Sequence, residues 1–239
     1  MTNGTPVIRP KSRLRKVLRV LGIGFLLVVV AITSAHFIWK YSGSSEWKQE
    51  ISKNGITVYS RKVPGMTLKE YRATRRVKNR LMVAMAAMTE EGVENCSDWL
   101  PGCESARNIV PYDPKEVSST DLYVVRYPSP YAPREYLLKT QISQDPKNKS
   151  ALIVLKAMPD LVPRNDCCFR IEDMDNRWRF TPLPNGELEV EFLMHMDQGL
   201  PYFLVNRMAG GITYKLLEDL PKHFNKEKYQ QVKLDFIQE

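Results

Sequence analysis

Between Val20 and Trp39 the chain carries no charged residue: VLGIGFLLVVVAITSAHFIW. Twenty residues at about 1.5 Å of helical rise each give about 30 Å, the thickness of a bilayer's hydrocarbon core. Such a run has few places to go. It is apolar all round, which a surface helix cannot be, and its sharp basic flank is out of place on a buried core helix. Six basic residues (Arg9, Lys11, Arg13, Arg15, Lys16 and Arg19) and no acidic one precede it. Trp39 and Tyr41 suit the aromatic belt of a membrane interface, and the basic flank suits the cytoplasmic side. The run therefore reads as a basic cytoplasmic tail over residues 1–19 and a single-span signal-anchor helix over 20–39. Everything after Lys40 is expected on the non-cytoplasmic side, in the periplasm if the chain is bacterial. The competing device is a secretory signal, because Thr33-Ser34-Ala35 offers small residues to a signal peptidase. Cleavage near Ala35 makes the product soluble and secreted. The length of the run favours the uncleaved anchor.

The remaining residues are enough for one large domain. A net charge of +8 on 239 residues invites a nucleic-acid reading, but its location argues against one. Six of the 35 basic residues precede Val20, which leaves 29 against 27 acidic residues, a balance of +2. No basic-aromatic stripe follows, so no nucleic-acid partner is expected.

A short polar linker over residues 40–45 leads into the domain, residues 46–239. Gly55–Arg61 reads as a strand, and Thr67–Lys78 alternates with Tyr71, Ala73 and Val77 on one face. Residues 80–91 change to helical period, and a second short helical piece ends near Trp99, before Pro101-Gly102. From Ile109 the strand pattern resumes. Val117–Tyr127, Glu135–Ser143, Ala151–Met158, Cys167–Glu172, Trp178–Pro182 and Leu188–Asp197 are separated by turns such as Asn185-Gly186. Short connections imply a meandering antiparallel sheet. The end of the chain turns helical over Pro201–Leu220, with Val205, Met208 or Ala209, Ile212, Leu216 and Leu220 as its apolar stripe. Gly210-Gly211 inside that stripe predicts a kink or a close approach. The fold class is α+β: a long curved antiparallel sheet gripped by one C-terminal helix, with a gap between them wherever bulky side chains do not close it.

Four cysteines are present. Cys96 and Cys103 are close enough for a short disulfide loop in an oxidising compartment. Cys167 and Cys168 are adjacent, and neighbouring residues on a strand point to opposite faces, so no simple pair between them is expected. No Cys/His set has zinc spacing, and no metal is expected.

The order of these pieces resembles a START domain, the steroidogenic-acute-regulatory-protein-related lipid-transfer family, in its bacterial type. The resemblance rests on Trp47 with Gly55-Ile56-Thr57-Val58-Tyr59, the Trp99…Cys103 segment, and Tyr127-Pro128-Ser129-Pro130 followed by Pro133-Arg134-Glu135-Tyr136. It continues through Pro159…Pro163, Phe169-Arg170-Ile171, Trp178-Arg179-Phe180-Thr181-Pro182, Asp197-Gln198-Gly199-Leu200-Pro201 and Val205-Asn206. It spans residue 45 to the C-terminus. It implies a helix-grip fold with an internal tunnel for one sterol, phospholipid, sphingolipid or similar apolar molecule, and no shared catalytic residues. The acid–base pair of some sterol binders is half matched: Asp121 stands for the acid, and Thr140 occupies the basic position.

Alternation together with this register points to Tyr123, Val125 and Tyr127 on one strand, Tyr136, Leu138 and Thr140 on the next, and Met194, as lipid-binding residues. Val205, Met208 and Ile212 join them from the helix, and Trp99 from the preceding segment. Tyrosines there supply apolar area and a hydroxyl that orients a lipid's polar head. Catalytic chemistry finds no foothold. His36 falls in the apolar run, His195 on a partly charged strand face, and His223 at the helix end, where a cation suits the dipole. There is no G-x-S-x-G, no H-E-x-x-H and no phosphate loop. The expected function is binding, with transfer or sensing, of a lipid or other hydrophobic ligand at a membrane, without cofactor. The alternatives are a polyketide-cyclase-like enzyme acting on a polycyclic substrate in the same cavity, and a ligand-gated interaction module.

Overall fold

The computed structural model describes residues 12–90 and 93–239. Arg9 and Lys11 of the basic tail lie outside the described residues. Helix α1, Ser12–Tyr41, is one continuous helix, basic at its start and apolar from Val20 to Trp39, and its most apolar stretch is not buried against the rest of the protein. Its last turns are the exception. Trp39 Nε1 donates to Thr67 O at 2.8 Å, and Lys62 Nζ donates to the carbonyls of Lys40, Ser42, Val63 and Met66. Residues 40–45 are therefore pinned to the domain at their start, and do not form a free tether.

The domain is a ten-stranded sheet with two helices. Strands β1 (Lys48–Lys53), β2 (Ile56–Arg61) and β3 (Glu70–Val77) form a meander. The chain then crosses, through α2 (Leu81–Thr89) and a 3-10 turn over Val93–Asp98, to the far edge. From there β4 (Cys103–Asp113), β5 (Ser118–Val125), β6 (Arg134–Gln144), β7 (Ala151–Ala157), β9 (Asp175–Pro182) and β10 (Leu188–Met194) return antiparallel, and β10 pairs with β3. The curved antiparallel sheet expected from the alternation is thus present. Three details differ. An unexpected first strand, β1, is joined to β2 by the Asn54-Gly55 turn, whose φ angles of 51° and 71° suit those two residues. Strand β4 begins at Cys103, well before Ile109. The expected strand Cys167–Glu172 shrinks to β8, Phe169–Arg170, which pairs parallel to β6.

Helix α3, Tyr202–Phe224, lies across β2 and β3. Its buried residues are Val205, Ala209, Gly210, Thr213, Leu217, Leu220 and Phe224. The packed stripe is displaced by one residue from Met208, Ile212 and Leu216, which are 58%, 45% and 43% exposed. Gly210 is the expected close approach: a Cβ there would lie 2.9 Å from Glu50 Oε2 and 3.5 Å from the Tyr71 ring. Tyr71 donates from its hydroxyl to Asn206 O at 2.6 Å, and Arg75 Nη1 donates to Leu217 O and Glu218 O. Adjacent residues of α3 should therefore respond very differently to truncation. Leu217→Ala is expected to cost about 2–5 kcal/mol in urea unfolding, and Leu216→Ala no more than about 0.5 kcal/mol. Equal effects would refute this register.

Candidate ligand site between the sheet and helix α3

The side of the sheet that faces α3 can be followed strand by strand through the pairing. Tyr71, Ala73, Phe192, Trp178, Ile153 and Ile142 form one row of it, and Asp121, Tyr123 and Val125 continue it on β5 through the register Asp121↔Leu138 and Tyr123↔Tyr136. Tyr136, Leu138 and Thr140 share that face on β6, and Leu155 and Ala157 on β7. A second, smaller cluster forms here: Leu138, Ala157, Ile171 and Met174, flanked by Tyr123, Tyr136, Leu155 and Met196. Trp99 stands edge-on to Tyr123, ring centroids 5.6 Å apart. The Tyr127 and Tyr136 hydroxyls are hydrogen-bonded at 2.7 Å, and Tyr127 donates to Gln198 Oε1 at 3.1 Å.

Helix α3 does not reach this cluster. One of its flanks, Asn206, Gly210 and Tyr214, meets the β1–β3 side through Thr67, Glu50 and Asn54. The opposite flank, Met208, Ile212 and Leu216, consequently looks along the sheet toward β9, β7 and β6. Tyr123, Tyr136, Thr140 and Leu155 face inward yet remain only partly buried. Two incompletely covered apolar surfaces are thus left, one on the inner sheet and one on the flank of α3 away from β1. Of the residues singled out from sequence, Trp99, Tyr123, Tyr127, Tyr136 and Leu138 are brought together. Thr140 and Val125 lie on the same face, while Met194 and Val205 belong to the packed base beneath α3, Met194 beside Thr213. Met208 and Ile212 are on the open flank. Leu155, Ala157 and Met174 were not singled out, although the alternation Ala151, Ile153, Leu155, Ala157 carries the first two.

No family model matches the sequence, and no curated protein does. Solved structures do match. A STAR-related lipid transfer protein from Xanthomonas axonopodis superposes with a TM-score of 0.65 at 20% identity, covering 75% of this chain and 99% of that one. The human StarD13 (DLC2) lipid transfer and protein localization domain gives 0.65 at 15%, covering 83% and 96%. Human StAR-related lipid transfer protein 5 gives 0.64 at 14%, covering 83% and 95%. The chain has the START helix-grip fold.

Within that fold the buried Asp121 and the Tyr127–Tyr136 pair near the site are already engaged. Asp121, buried on the inner face, accepts from Asn108 Nδ2 at 2.8 Å and Ser119 Oγ at 2.9 Å. Its partners are neutral, consistent with Thr140 in place of a base. Burial, and next the Asp121 carboxylate, push the Tyr123 hydroxyl well above the usual tyrosine range. Burial, and next Tyr127, do the same to Tyr136. His195 lies on the other face, with Nδ1 3.3 Å from Glu70 and Nε2 3.1 Å from Asp173, as its charged neighbours implied.

Sequence reasoning passed over two buried arginines, of which Arg134 builds the pole of the site beside Gln198 and Arg170 lies on the far face. Arg134, itself buried, lies over the rings of Tyr127, Tyr131 and Phe169 and donates to Gln198 O at 2.9 Å. Arg170 pairs with Glu135 at 2.7 Å, the two side chains being 0% and 3% exposed, and donates to the carbonyls of Pro159, Val162 and Pro163. That network shapes the loop over residues 158–168 on the far face of the sheet, beside an open groove of about 490 Å³ lined by Leu122, Val124 and Pro163. The groove lies outside the sheet–helix gap. The loop also overturns one expectation: Cys167 and Cys168 are bonded to each other, as are Cys96 and Cys103. The opposite-face argument against the adjacent pair presumed a strand, and these two residues sit in a turn.

The tyrosine environment predicts a pH dependence. The unfolded chain releases phenolic protons near pH 10, before the folded protein does. Stability held below that value is therefore lost as pH rises through it. Chemical unfolding at increasing pH should show this loss, and Tyr136→Phe should make it shallower. An unchanged slope in the variant would contradict the buried placement of Tyr136.

Proposed function

We propose that the protein binds one lipid or comparable apolar molecule between the inner face of β5–β7 and the open flank of α3, and that it transfers or senses that molecule at a membrane. The observation that carries this reading is the pair of incompletely covered apolar surfaces, one on the inner sheet and one on α3. Water against the partly buried Leu155 and Tyr136 on the sheet and the exposed Met208, Ile212 and Leu216 on the helix finds few polar partners there. An apolar guest that displaces it gains about 25 cal/mol for each Å² removed from water. Trp99, Tyr123, Tyr127, Val125 and Thr140 complete the lining. Met194 and Val205 form its floor, and the Tyr127–Tyr136 hydroxyl pair offers the hydrogen bonds that orient a head group. Met208 supplies an adaptable wall. The similarity in fold to lipid transfer proteins supports the same reading. We assign it binding, without turnover or cofactor.

Helix α1 holds this domain at a bilayer with the basic N-terminal flank on the cytoplasmic side. Two disulfides in the domain fit an oxidising compartment on the other side. If cleavage occurs near Ala35, Trp39 and its contact with Thr67 stay with the secreted domain.

The test is extraction of the purified full-length protein followed by mass spectrometry, with vesicle-to-vesicle transfer of a fluorescent phospholipid alongside. A stoichiometric co-purifying lipid is expected. Leu155→Trp, which fills the gap from the sheet side, should reduce bound lipid and transfer about tenfold, the equivalent of about 1.4 kcal/mol, with unfolding behaviour retained. A protein that is consistently empty and transfers nothing would end this reading.

A further inference from the structure

The end of α1 and the beginning of α3 touch. Tyr202, the first residue of α3, stacks on Trp39 with ring centroids 6.2 Å apart and an interplanar angle of 12°. It also stands edge-on to His36 at 5.7 Å. His36 and Trp39 are the last turn of the charge-free run, with His36 about 4.5 Å deeper along the helix. Any bilayer that surrounds Val20–Trp39 therefore reaches the first turn of α3. That turn is equipped for the encounter. Phe203 is 62% exposed, and Arg207, four residues on and exposed, shares its face of the helix. The junction is not free to swing away, because Lys62 spans four carbonyls on both sides of it.

The same pole holds one end of the ligand site. Tyr127 and Arg134 both bond Gln198, four residues before Tyr202. We propose that the first turn of α3 is a membrane foot: Phe203 enters the interfacial layer, Arg207 meets lipid phosphates, and the packing of Tyr202 on α1 sets the depth. The partner is the surface of the bilayer that α1 spans, so the inference rests on that span. An aromatic ring at that height gains from the interface, and an arginine beside it extends its charge into the head groups. The gap between α3 and the sheet is thereby held with its Tyr127–Tyr136 end toward the lipid, at a fixed height.

Full-length protein would be reconstituted in phosphatidylcholine–phosphatidylglycerol vesicles, with p-benzoylphenylalanine replacing Phe203, Leu27 or Lys147. Lys147 is in the β6–β7 turn, at the end of β6 remote from Arg134, about 33 Å along the strand. Photolysis should attach vesicle lipid at positions 27 and 203, several-fold more than at 147. Tyr202→Ala should lower the yield at 203 several-fold and leave 27 unchanged. Labelling at 27 with position 203 no stronger than 147 would overturn the foot and leave the span standing. Labelling at 203 that Tyr202→Ala does not change would overturn the role of α1 in setting the depth. Absence of labelling at 27 would remove the span and the foot together.

Discussion

Helix α3 is packed over β2 and β3, while the sheet it serves continues through β10, β9, β7, β6 and β5 to β4. One helix about 10 Å wide cannot cover a sheet whose strands repeat every 4.8 Å or so. The contact it does make is tight. Gly210 brings the backbone against Tyr71, the tyrosine hydroxyl ends on a helix carbonyl, and Arg75 takes two more carbonyls further along. Because α3 is committed to that side, its Met208–Ile212–Leu216 flank is left uncovered. Tyr123, Tyr136, Thr140 and Leu155 are left incompletely covered for the same reason. The candidate site is a consequence of where the helix is fastened.

The charged groups of the domain do structural work at the rim of that space. Buried guanidinium groups are tolerated only when their donors find acceptors. Arg170 meets this condition with Glu135 and three loop carbonyls, and Arg134 with the residues that lead into α3. The first fixes the loop that carries the Cys167–Cys168 bond. The second ties the open ends of β5 and β6 to the start of the helix. Asp121 is satisfied by an amide and a hydroxyl. In these arrangements the buried charges around the candidate site are already engaged by the protein.

Much of this was legible in the chain. Alternation exposed β2, β3, β5, β6, β7, β9 and β10, since one face of each is dry. The helical period exposed α2 and α3. The inward set Tyr123, Val125, Tyr136, Leu138 and Thr140 followed from period two together with the START resemblance, and the strand pairing places these residues on one face. Period does not say which turn of a helix stripe is pressed on the sheet. Met208, Ile212 and Leu216 and their neighbours Ala209, Thr213 and Leu217 satisfy it almost equally, and only the close approach at Gly210 selects the latter. Strand β1 was missed because KQEISK does not alternate between polar and apolar, being exposed along nearly its whole length at an edge. The Asn54-Gly55 turn was the overlooked signal.

What the sequence by itself determined is whatever depends on local period and charge: an apolar rod long enough for a bilayer, strands with one dry face, and a C-terminal helix. Tertiary structure decided whatever depends on residues distant in the chain. It paired β10 with β3, buried Arg170 against Glu135, and put Cys167 and Cys168 in a turn where they bond. It also seated Tyr202 on Trp39, which makes the rod and the domain one body. Those outcomes arise from which surfaces meet when the sheet curves, and no window of neighbouring residues contains both partners.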